Sequence, residues 1–392
     1  MKFVDQLNVS GKVVFLRADL NVPLSDNGEI ADDTRIRATL PTIQLLTKNG
    51  ARVVVASHLG SPKGKRSEAL SLKPIAAHLG KLLNAAVPLA ADCIGPEVSA
   101  AVKQLKNGDV LLLENLRFHA EEEKNDPTFA AQLAELATVY VNDAFGTAHR
   151  AHASTAGMVS AFAEKAGGLT MKSEIEYFER AMGNPKRPLV AIFGGVKIST
   201  KMAALRHVGM KANRVIVGGA MANTLLAAQG YGLGKSLVEK EQIENARQII
   251  NMLIGRGCQL YLPSDFVAAE KLEAGAKTIT CDVNRLPATM MALDIGPKSL
   301  EQFVMALEGA GTIVWNGPMG AFETKEFSAG TYGLIRALAQ SPAITVVGGG
   351  DTDLALHETH NFEKMDYVST GGGAFLELLE GKTLPAIAAL DS

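Results

Sequence analysis

Basic side chains follow four β-like runs in the first part of this sequence, and together they could bind an anion. The pairs are the run 12–16 with Arg17, the run 53–56 with His58, the run 110–113 with Arg117, and the run 139–141 with His149 and Arg150. In an open parallel sheet, ligands bind outside the carboxyl ends of the strands, so we expect these side chains to line one crevice. A crevice lined by arginine and histidine predicts an anionic ligand.

Glycine takes the place of the basic residues after the β-like runs of the second half. The runs are 189–193, 214–217, 259–262, 312–315 and 344–347, and the glycines are Gly194, Gly195, Gly218, Gly219, Gly317, Gly348 to Gly350 and Gly371 to Gly373. Glycine between a strand and a helix lets backbone N–H groups approach a phosphate, and the helix N-terminus adds roughly half a positive charge. Several such turns at one sheet edge predict a site for a nucleotide polyphosphate.

Two segments of the second half sharpen that prediction. Asp351 and Thr352 directly follow the glycines at 348–350, where they would supply a Mg²⁺-directed carboxylate and a hydroxyl at a helix start. Lys197 and Lys201 are four residues apart, hence on one helix face. We therefore expect Mg²⁺ and a nucleotide polyphosphate here.

Short apolar runs alternate with helical patterns along the chain, which favours parallel βαβ units. Helical patterns cover 39–49, 72–84 and 127–137, and we expect the first of these helices to start at Pro41, with Thr39 or Leu40 at the cap. A strongly helical stretch at 171–182, closed by Gly183-Asn184-Pro185, lies between the halves.

The 392 residues are long for one hydrophobic core. The fold class that follows is α/β, with two doubly wound parallel-sheet, Rossmann-like domains joined by a helical hinge. We place the anion-binding domain at 1–170, with the tail 381–392 packing back on it. The nucleotide-binding domain is expected at 171–380, including the connecting helix.

Composition argues against nucleic acid and membranes as partners. The net charge is −2, so no global field favours either of them. No apolar run approaches the ~18 residues of a membrane span. The cysteines, Cys93, Cys258 and Cys281, are too widely spaced for a disulfide framework and indicate buried thiols. We expect a cytoplasmic, soluble protein.

An anion pocket in one half and a nucleotide site in the other suit phosphoryl transfer. That reaction needs positioning and charge stabilisation more than covalent help from the protein, and closure of two domains can supply both. The residues alone therefore predict a kinase for a small anionic metabolite.

The motifs resemble those of the phosphoglycerate kinase family. The matching blocks are Arg17 to Leu24, Glu114 to His119, Phe145 to His152, Trp315 to Pro318, Gly348 to Thr352, and the final Thr383-Leu384-Pro385, in family order. The resemblance implies transfer of a phosphoryl group between 1,3-bisphosphoglycerate and Mg·ADP, giving 3-phosphoglycerate and Mg·ATP, by a monomeric enzyme.

The same resemblance implies residue roles. Binding of 3-phosphoglycerate is implied for Asp19, Asn21, Arg35, His58, Leu59, Gly60, Ser61, Arg117 and Arg150. Nucleotide binding is implied for Lys197, Lys201, Asn316, Glu323, Gly349, Gly350, Asp351 and Thr352, with Asp351 on the metal. Catalytic roles are implied for Arg35, Lys197, Gly371 and Gly372.

The chain departs from the family pattern at Ser61, where the family usually has arginine. Lys63, Lys65 and Arg66 are the cations in the same loop that could compensate. Thr200 and Val196 also depart from the common residues, with little effect expected. Arg17 is open between ligand binding and a salt-bridged strand end. His149 and His152 have a metal-ligand-like spacing but favour a structural role. Glu121 to Lys124 are expected in a solvated loop.

Two other functions remain as alternatives. The first is a nucleotide-dependent binding or regulatory protein on the same scaffold that has lost turnover, for which Ser61 is the support. The second is a dehydrogenase, which ranks lower because no G-x-G-x-x-G follows the first strand.

Overall fold

The computed structural model describes residues 1–25 and 27–392, and the chain divides into two compact units. The first unit comprises Met1–Ile175 with Thr383–Ser392, and the second comprises Glu176–Lys382. The boundary falls inside one helix, Leu169–Phe178, which continues into a π-helical turn at Glu179–Gly183. Both units are α/β with a parallel sheet, as predicted.

The first unit is built on a parallel sheet with the strand order β3-β2-β1-β4-β5. Its strands are β1 (Val13–Arg17), β2 (Arg52–Ala56), β3 (Val110–Leu112), β4 (Val139–Asn142) and β5 (Glu164–Gly167). Its helices are α1 (Thr34–Lys48), α2 (Lys73–Leu83), α3 (Pro96–Gln104), α4 (Ala120–Glu123), α5 (Pro127–Ala134), most of α6 (Leu169–Phe178) and, at the C-terminus, α14 (Pro385–Asp391).

Apolar residues on both faces of this sheet explain its burial. Val14 and Leu16 belong to one hydrophobic cluster with Ile43 of α1. Phe15, between them in the strand, belongs to a second cluster with Phe129 of α5. Successive side chains of a strand point to opposite faces, so a continuous apolar strand needs helices on both sides.

The second unit has a parallel sheet with the strand order β14-β13-β12-β6-β7-β8. These strands are β6 (Leu189–Phe193), β7 (Arg214–Val217), β8 (Gln259–Tyr261), β12 (Thr312–Asn316), β13 (Ile344–Gly348) and β14 (Tyr367–Val368). The helices are α7 (Met202–Gly209), α8 (Gly219–Ala228), α9 (Ile243–Gly255), α10 (Pro297–Leu307), α11 (Ala329–Leu338), α12 (Gly350–Glu358) and α13 (Gly372–Leu379).

An antiparallel sheet in the second unit was not predicted. It has the order β10-β9-β11, from Ile279–Asp282, Asp265–Ala269 and Met291–Ile295. Its outer strands are mostly half-buried and mix polar with apolar residues, so they lack the apolar runs that mark the central strands.

The predicted start of the first helix at Pro41 is wrong, because α1 begins at Thr34 and contains Pro41. The Asp32 carboxylate accepts hydrogen bonds from the backbone N–H and hydroxyl of Thr34, at 2.8 and 2.6 Å, and fixes the earlier start. The run Asp32-Asp33-Thr34 was the helix-start signal. This shift places Arg35 in the first turn of the helix.

No helix within the described ranges combines the length and apolar character needed to span a membrane.

Candidate active site

The loop after β1 and the first turn of α1 form one side of the candidate anion site in the first unit. Arg35 donates Nη1–H to the Asn21 carbonyl at 3.0 Å and lies 3.4 Å from Asp19 Oδ2. Asn21 in turn accepts the Gly60 N–H on its side-chain oxygen at 2.8 Å. The Arg35 side chain is 37% exposed, so it is anchored at one end and accessible to a ligand.

Arg17 is fully buried at the end of β1 and orients His58. Its Nε donates to Ser154 Oγ at 2.9 Å, and its Nη2 donates to His58 Nδ1 at 3.2 Å. Burial, and then the charges of Arg17 and Arg117, hold the pKa of His58 well below its usual value. His58 is therefore neutral and carries its proton on Nε2, so it offers an N–H donor rather than a positive charge.

Glu122 stabilises this arrangement through Ser154, and its burial was not expected from the sequence. It is fully buried and accepts hydrogen bonds from Ser154 Oγ at 2.5 Å and from Ser154 N at 3.0 Å. The prediction of a solvated loop at Glu121 to Lys124 is therefore wrong, because Glu121 to Glu123 lie in α4 and Glu122 is buried, whereas solvent exposure holds for the other members of the run. A run of charged letters gives no sign that its middle member faces Ser154, which lies 32 residues further along the chain.

Arg117 and the residues after β2 form the other side of the anion site. Arg117 donates Nη1–H to the Gly60 carbonyl at 2.8 Å, and its Nε is 3.3 Å from Glu123 Oε1. Asn115 fixes the adjacent Leu59 from both sides, because its oxygen accepts the Leu59 N–H at 3.2 Å and its amide donates to the Leu59 carbonyl at 2.8 Å. The backbone of Leu59 and Gly60 is thus fixed by side chains of other elements.

Arg150 is exposed and completes the group of cations. Its Nε lies 3.3 Å from His149 Nε2. Burial, followed by the charges of Arg117 and Arg17, lowers the pKa of His152 to about 4, and Arg150 adds to this lowering. The one group of candidate metal ligands found among the described residues does not include His149 or His152.

The cations nearest in sequence to Ser61 fall into two classes. Arg66 donates to the Ala91 carbonyl at 2.9 Å, and its guanidinium lies 5.8 Å from the centre of the Phe118 ring. These contacts engage its guanidinium away from Ser61. Lys63 and Lys65 are exposed, as is Ser61 itself. Of the three expected substitutes for the missing arginine, the two lysines are the ones that remain candidates.

A cavity of about 370 Å³ lies in the second unit, between the carboxyl end of the parallel sheet and the antiparallel sheet. Its walls are mainly apolar and include Leu237, Leu272, Met291 and Pro318, and Glu323 and Asp351 also line it. Gly195 and Gly219 contribute backbone to the wall. A Cβ on Gly219 would approach the Gly195 nitrogen to 2.6 Å, so glycine is needed there for this close approach.

Lys201 is the buried cation of this site. Its Nζ donates to the carbonyls of Gly194 at 2.7 Å and Asn316 at 3.2 Å. Burial lowers the pKa of Lys201 to about 8, with the Asp351 carboxylate acting in the opposite direction. Lys197 is exposed at the cap of the short turn Ile198–Thr200. The two lysines therefore differ in environment although both follow β6.

The turn after β12 is held by residues that the sequence had assigned to the nucleotide. Asn316 donates its side-chain amide to the Gly348 carbonyl at 3.0 Å. Thr352 is fully buried, and its hydroxyl accepts the Gly317 N–H at 2.9 Å. Gly317 adopts a φ of 96°. The Thr352 hydroxyl is thus engaged in fixing Gly317.

Two helix N-termini meet beside this turn. Helix α12 begins at Gly350 and α13 at Gly372, with Gly349 and Gly371 at their caps. A Cβ on Gly372 would lie 3.5 Å from the Gly349 Cα and the Gly350 nitrogen. Converging N–H groups and helix dipoles suit a polyphosphate. Asp351 is exposed in the first turn of α12, and its carboxylate is the kind of oxygen ligand that Mg²⁺ prefers.

Asp294 is a residue of this cavity that sequence reasoning missed. It is 3% exposed, and its two oxygens accept the N–H groups of Ile295 at 2.8 Å and Gly330 at 2.7 Å. Burial raises the pKa of Asp294 to about 7. The single carboxylate of β11 (Met291–Ile295) was the available signal.

Comparisons with known proteins cover the whole chain. The family model described as phosphoglycerate kinase matches residues 4–382. A protein of that name from Syntrophobacter fumaroxidans is 50% identical over 391 residues, covering 100% of this chain and 98% of the relative. One from Anaeromyxobacter dehalogenans strain 2CP-C is 51% identical over 393 residues, covering 100% and 99%.

Two solved structures of phosphoglycerate kinases also match this chain over nearly its whole length. A structure of phosphoglycerate kinase from Coxiella burnetii matches with a TM-score of 0.91 and 43% identity, covering 99% of this chain and 98% of that one. The crystal structure from Pyrococcus horikoshii OT3 matches with a TM-score of 0.87 and 33% identity, covering 100% and 98%.

Proposed function

The chain belongs to the phosphoglycerate kinase family and is a phosphotransferase of glycolysis, and we propose that its two units divide the substrates between them. The reaction passes a phosphoryl group between 1,3-bisphosphoglycerate and ADP, giving 3-phosphoglycerate and ATP. The observation that carries the division is chemical. Arginines surround a neutral histidine in the first unit, whereas glycine turns and helix N-termini border an apolar cavity in the second.

In the first unit, Asp19, Asn21, His58, Arg117 and Arg150 bind 3-phosphoglycerate. Arginine forks suit phosphate and carboxylate oxygens. His58 donates its Nε2–H. Leu59, Gly60 and Ser61 contribute the loop that Asn115 and Arg117 support. The attacking carboxylate is already ionised near neutral pH, so the reaction needs no general base, which accounts for histidines that are neutral.

In the second unit, the apolar cavity accepts the base, Glu323 is available to the ribose, and the phosphates meet Lys197, Lys201 and the N-termini of α12 and α13. Gly349, Gly350, Gly371 and Gly372 leave backbone N–H groups open to phosphate oxygens. Asn316 and Thr352 hold the turn at Gly317. Asp351 would hold Mg²⁺, which neutralises polyphosphate charge when it is bound.

Arg35 and Lys197 are proposed as the side chains that stabilise the transferring phosphoryl group. A cation aimed at that group contributes most in the transition state, where charge spreads over the equatorial oxygens.

We also propose that the units close around α6 during turnover, that the protein is monomeric and that it is cytoplasmic. Scattering that shows compaction only with both substrates, and a monomer mass in solution, would support the first two proposals.

The division of substrates is tested by calorimetry on Asp351→Ala. Mg·ADP binding should weaken by about tenfold or more, since a metal ligand is lost, whereas 3-phosphoglycerate binding should be unchanged. The matched variant Arg150→Ala should show the reverse. Equal losses of both ligands in either variant would refute the division. A coupled assay with 3-phosphoglycerate and Mg·ATP tests the alternative of a binding protein without turnover, which no observation favours. Measured turnover would exclude that alternative.

A further inference from the structure

Asp92, Cys93 and His119 form a group of polar side chains that the proposed reaction does not use. One donor atom from each lies within 4.8 Å of the other two. Asp92 and Cys93 are in the loop before α3, and His119 directly precedes α4. Within the described residues, no other group of three histidine, cysteine or acidic residues is placed this way.

From this geometry we propose that Asp92, Cys93 and His119 bind a divalent metal ion of the zinc class. Cysteine sulfur, histidine nitrogen and aspartate oxygen are the protein ligands that zinc takes. With bonds of about 2.0–2.3 Å, a tetrahedral ion needs its ligand atoms roughly 3.3–3.8 Å apart. The observed separations require only small side-chain shifts, and the fourth position is left for water.

Hydrogen bonds already join the three residues, and metal binding would displace their protons. Asp92 Oδ1 accepts the His119 Nε2–H at 2.7 Å and the Cys93 N–H at 2.7 Å. Coordination through Nε2 would leave the His119 proton on Nδ1, and the Cys93 thiol proton would be released to solvent. Asp92 and His119 are partly exposed, with side chains 39% and 25% accessible, which provides an entry path.

The electrostatic surroundings favour a cation near the thiol. The carboxylates of Asp92 and Glu122 both interact electrostatically with the Cys93 thiol. Both carboxylates would stabilise a divalent ion in the same place. Arg66 is the opposing cation, but it donates to the Ala91 carbonyl and its side chain is 55% exposed. A thiolate and a carboxylate together neutralise a 2+ ion, so the loaded group carries no net charge.

The competing interpretation is that Asp92 and His119 form a hydrogen-bonded pair with no metal. The two differ in what Cys93 does, because the pair alone has no need of its sulfur. They also differ in consequence: a bound ion would tie the start of α4, and with it Glu122 and Glu123, to the loop before α3. We expect it to raise thermal stability rather than to change turnover.

The test uses the full-length protein, stripped with a chelator, reduced, and titrated with Co²⁺ in the absence of nucleotide. One equivalent should produce a near-ultraviolet thiolate-to-cobalt charge-transfer band with the visible bands of a four-coordinate ion. Zn²⁺ should displace it, and Mg²⁺, which prefers oxygen ligands, should not. Cys93→Ser should abolish the charge-transfer band, and His119→Gln should weaken binding by about tenfold or more.

Cys281→Ser is the matched control. Cys281 is partly exposed, and burial followed by the carboxylates of Asp265 and Asp282 raises the pKa of its thiol. Cys281 does not belong to the group of candidate metal ligands. This variant should keep the full cobalt signal. The proposal is overturned if the wild type shows no thiolate band at one equivalent, if Cys93→Ser keeps the band, or if Cys281→Ser loses it. His119→Gln provides an independent result should Cys93→Ser fail to fold.

Discussion

The two units present positive charge by different means. In the first unit the positive charge comes from side chains, and each guanidinium is held by another group: Arg35 by the Asn21 carbonyl, Arg117 by the Gly60 carbonyl, Arg17 by Ser154. In the second unit, much of the attraction comes from backbone N–H groups at the starts of α12 and α13. The first site is therefore sensitive to side-chain identity, and the second to space near the backbone.

The difference extends to titration. Arginine stays protonated in proteins, so the charge of the first site does not change with pH in the ordinary range. The buried cation of the second site is Lys201, and burial lowers its pKa to about 8. Substitution, added bulk and pH should therefore affect the two sites differently.

Arg35→Ala should have the largest effect. Turnover is expected to fall by roughly 10³–10⁵-fold, as for other arginines aimed at a transferring phosphoryl group, with a smaller loss of 3-phosphoglycerate binding. The control is Arg37→Ala on the same helix, since Arg37 pairs with Asp33 at 2.8 Å. Steady-state kinetics would contradict the assignment if Arg35→Ala kept more than about a tenth of wild-type turnover, a loss of only ~1.4 kcal/mol.

Gly317→Ala should break the second site through its backbone. A Cβ would collide with the Gly194 carbonyl and Lys201 Nζ, and the φ of 96° is unfavourable for alanine. Strain alone should lower the free energy of unfolding by about 1–3 kcal/mol, and displaced Lys201 should weaken Mg·ADP binding. Gly257→Ala is the control, because Gly257 has a φ of 74° but no neighbour within 4 Å. Chemical denaturation should show a smaller loss of unfolding free energy for the control. Equal losses in the two variants would mean that neighbouring groups move to accommodate the added Cβ at Gly317.

This comparison also explains what the sequence could predict. Central strands were predicted within a residue or so, because runs such as Leu189–Phe193 are apolar throughout. Glycines after strands pointed to backbone recognition. By contrast, the contact of Glu122 with Ser154 and the burial of Asp294 depend on pairings between distant parts of the chain. Local patterns carry no information about such pairings.

A rise in pH should separate the two sites. As pH increases through 8, Lys201 loses its proton, and Mg·ADP affinity should fall by about tenfold, since a charge-assisted hydrogen bond contributes ~1.5–3 kcal/mol. Binding of 3-phosphoglycerate should stay level over the same range, because arginines hold it. Lys201→Arg should remove the pH dependence. Calorimetry at pH 7 and pH 9.5 would count against this assignment if both ligands weakened together in the wild type.

Ser61→Arg should have the smallest effect and tests whether the first site lacks a cation. A new guanidinium in the loop after β2 could add a bidentate phosphate contact, which would strengthen binding by about tenfold if no other group filled the role. Arg66 is committed to Ala91, but Lys63 and Lys65 are exposed in the same loop. Because these lysines offer partial compensation, we expect 3-phosphoglycerate affinity to rise by only a few-fold, with a steeper loss as salt is added. Ser67→Arg adds the same charge later in the loop and should change affinity less. An unchanged dissociation constant at low salt would show that Ser61 is no deficiency, and that Arg35, Arg117 and Arg150 hold the phosphate with the neutral His58.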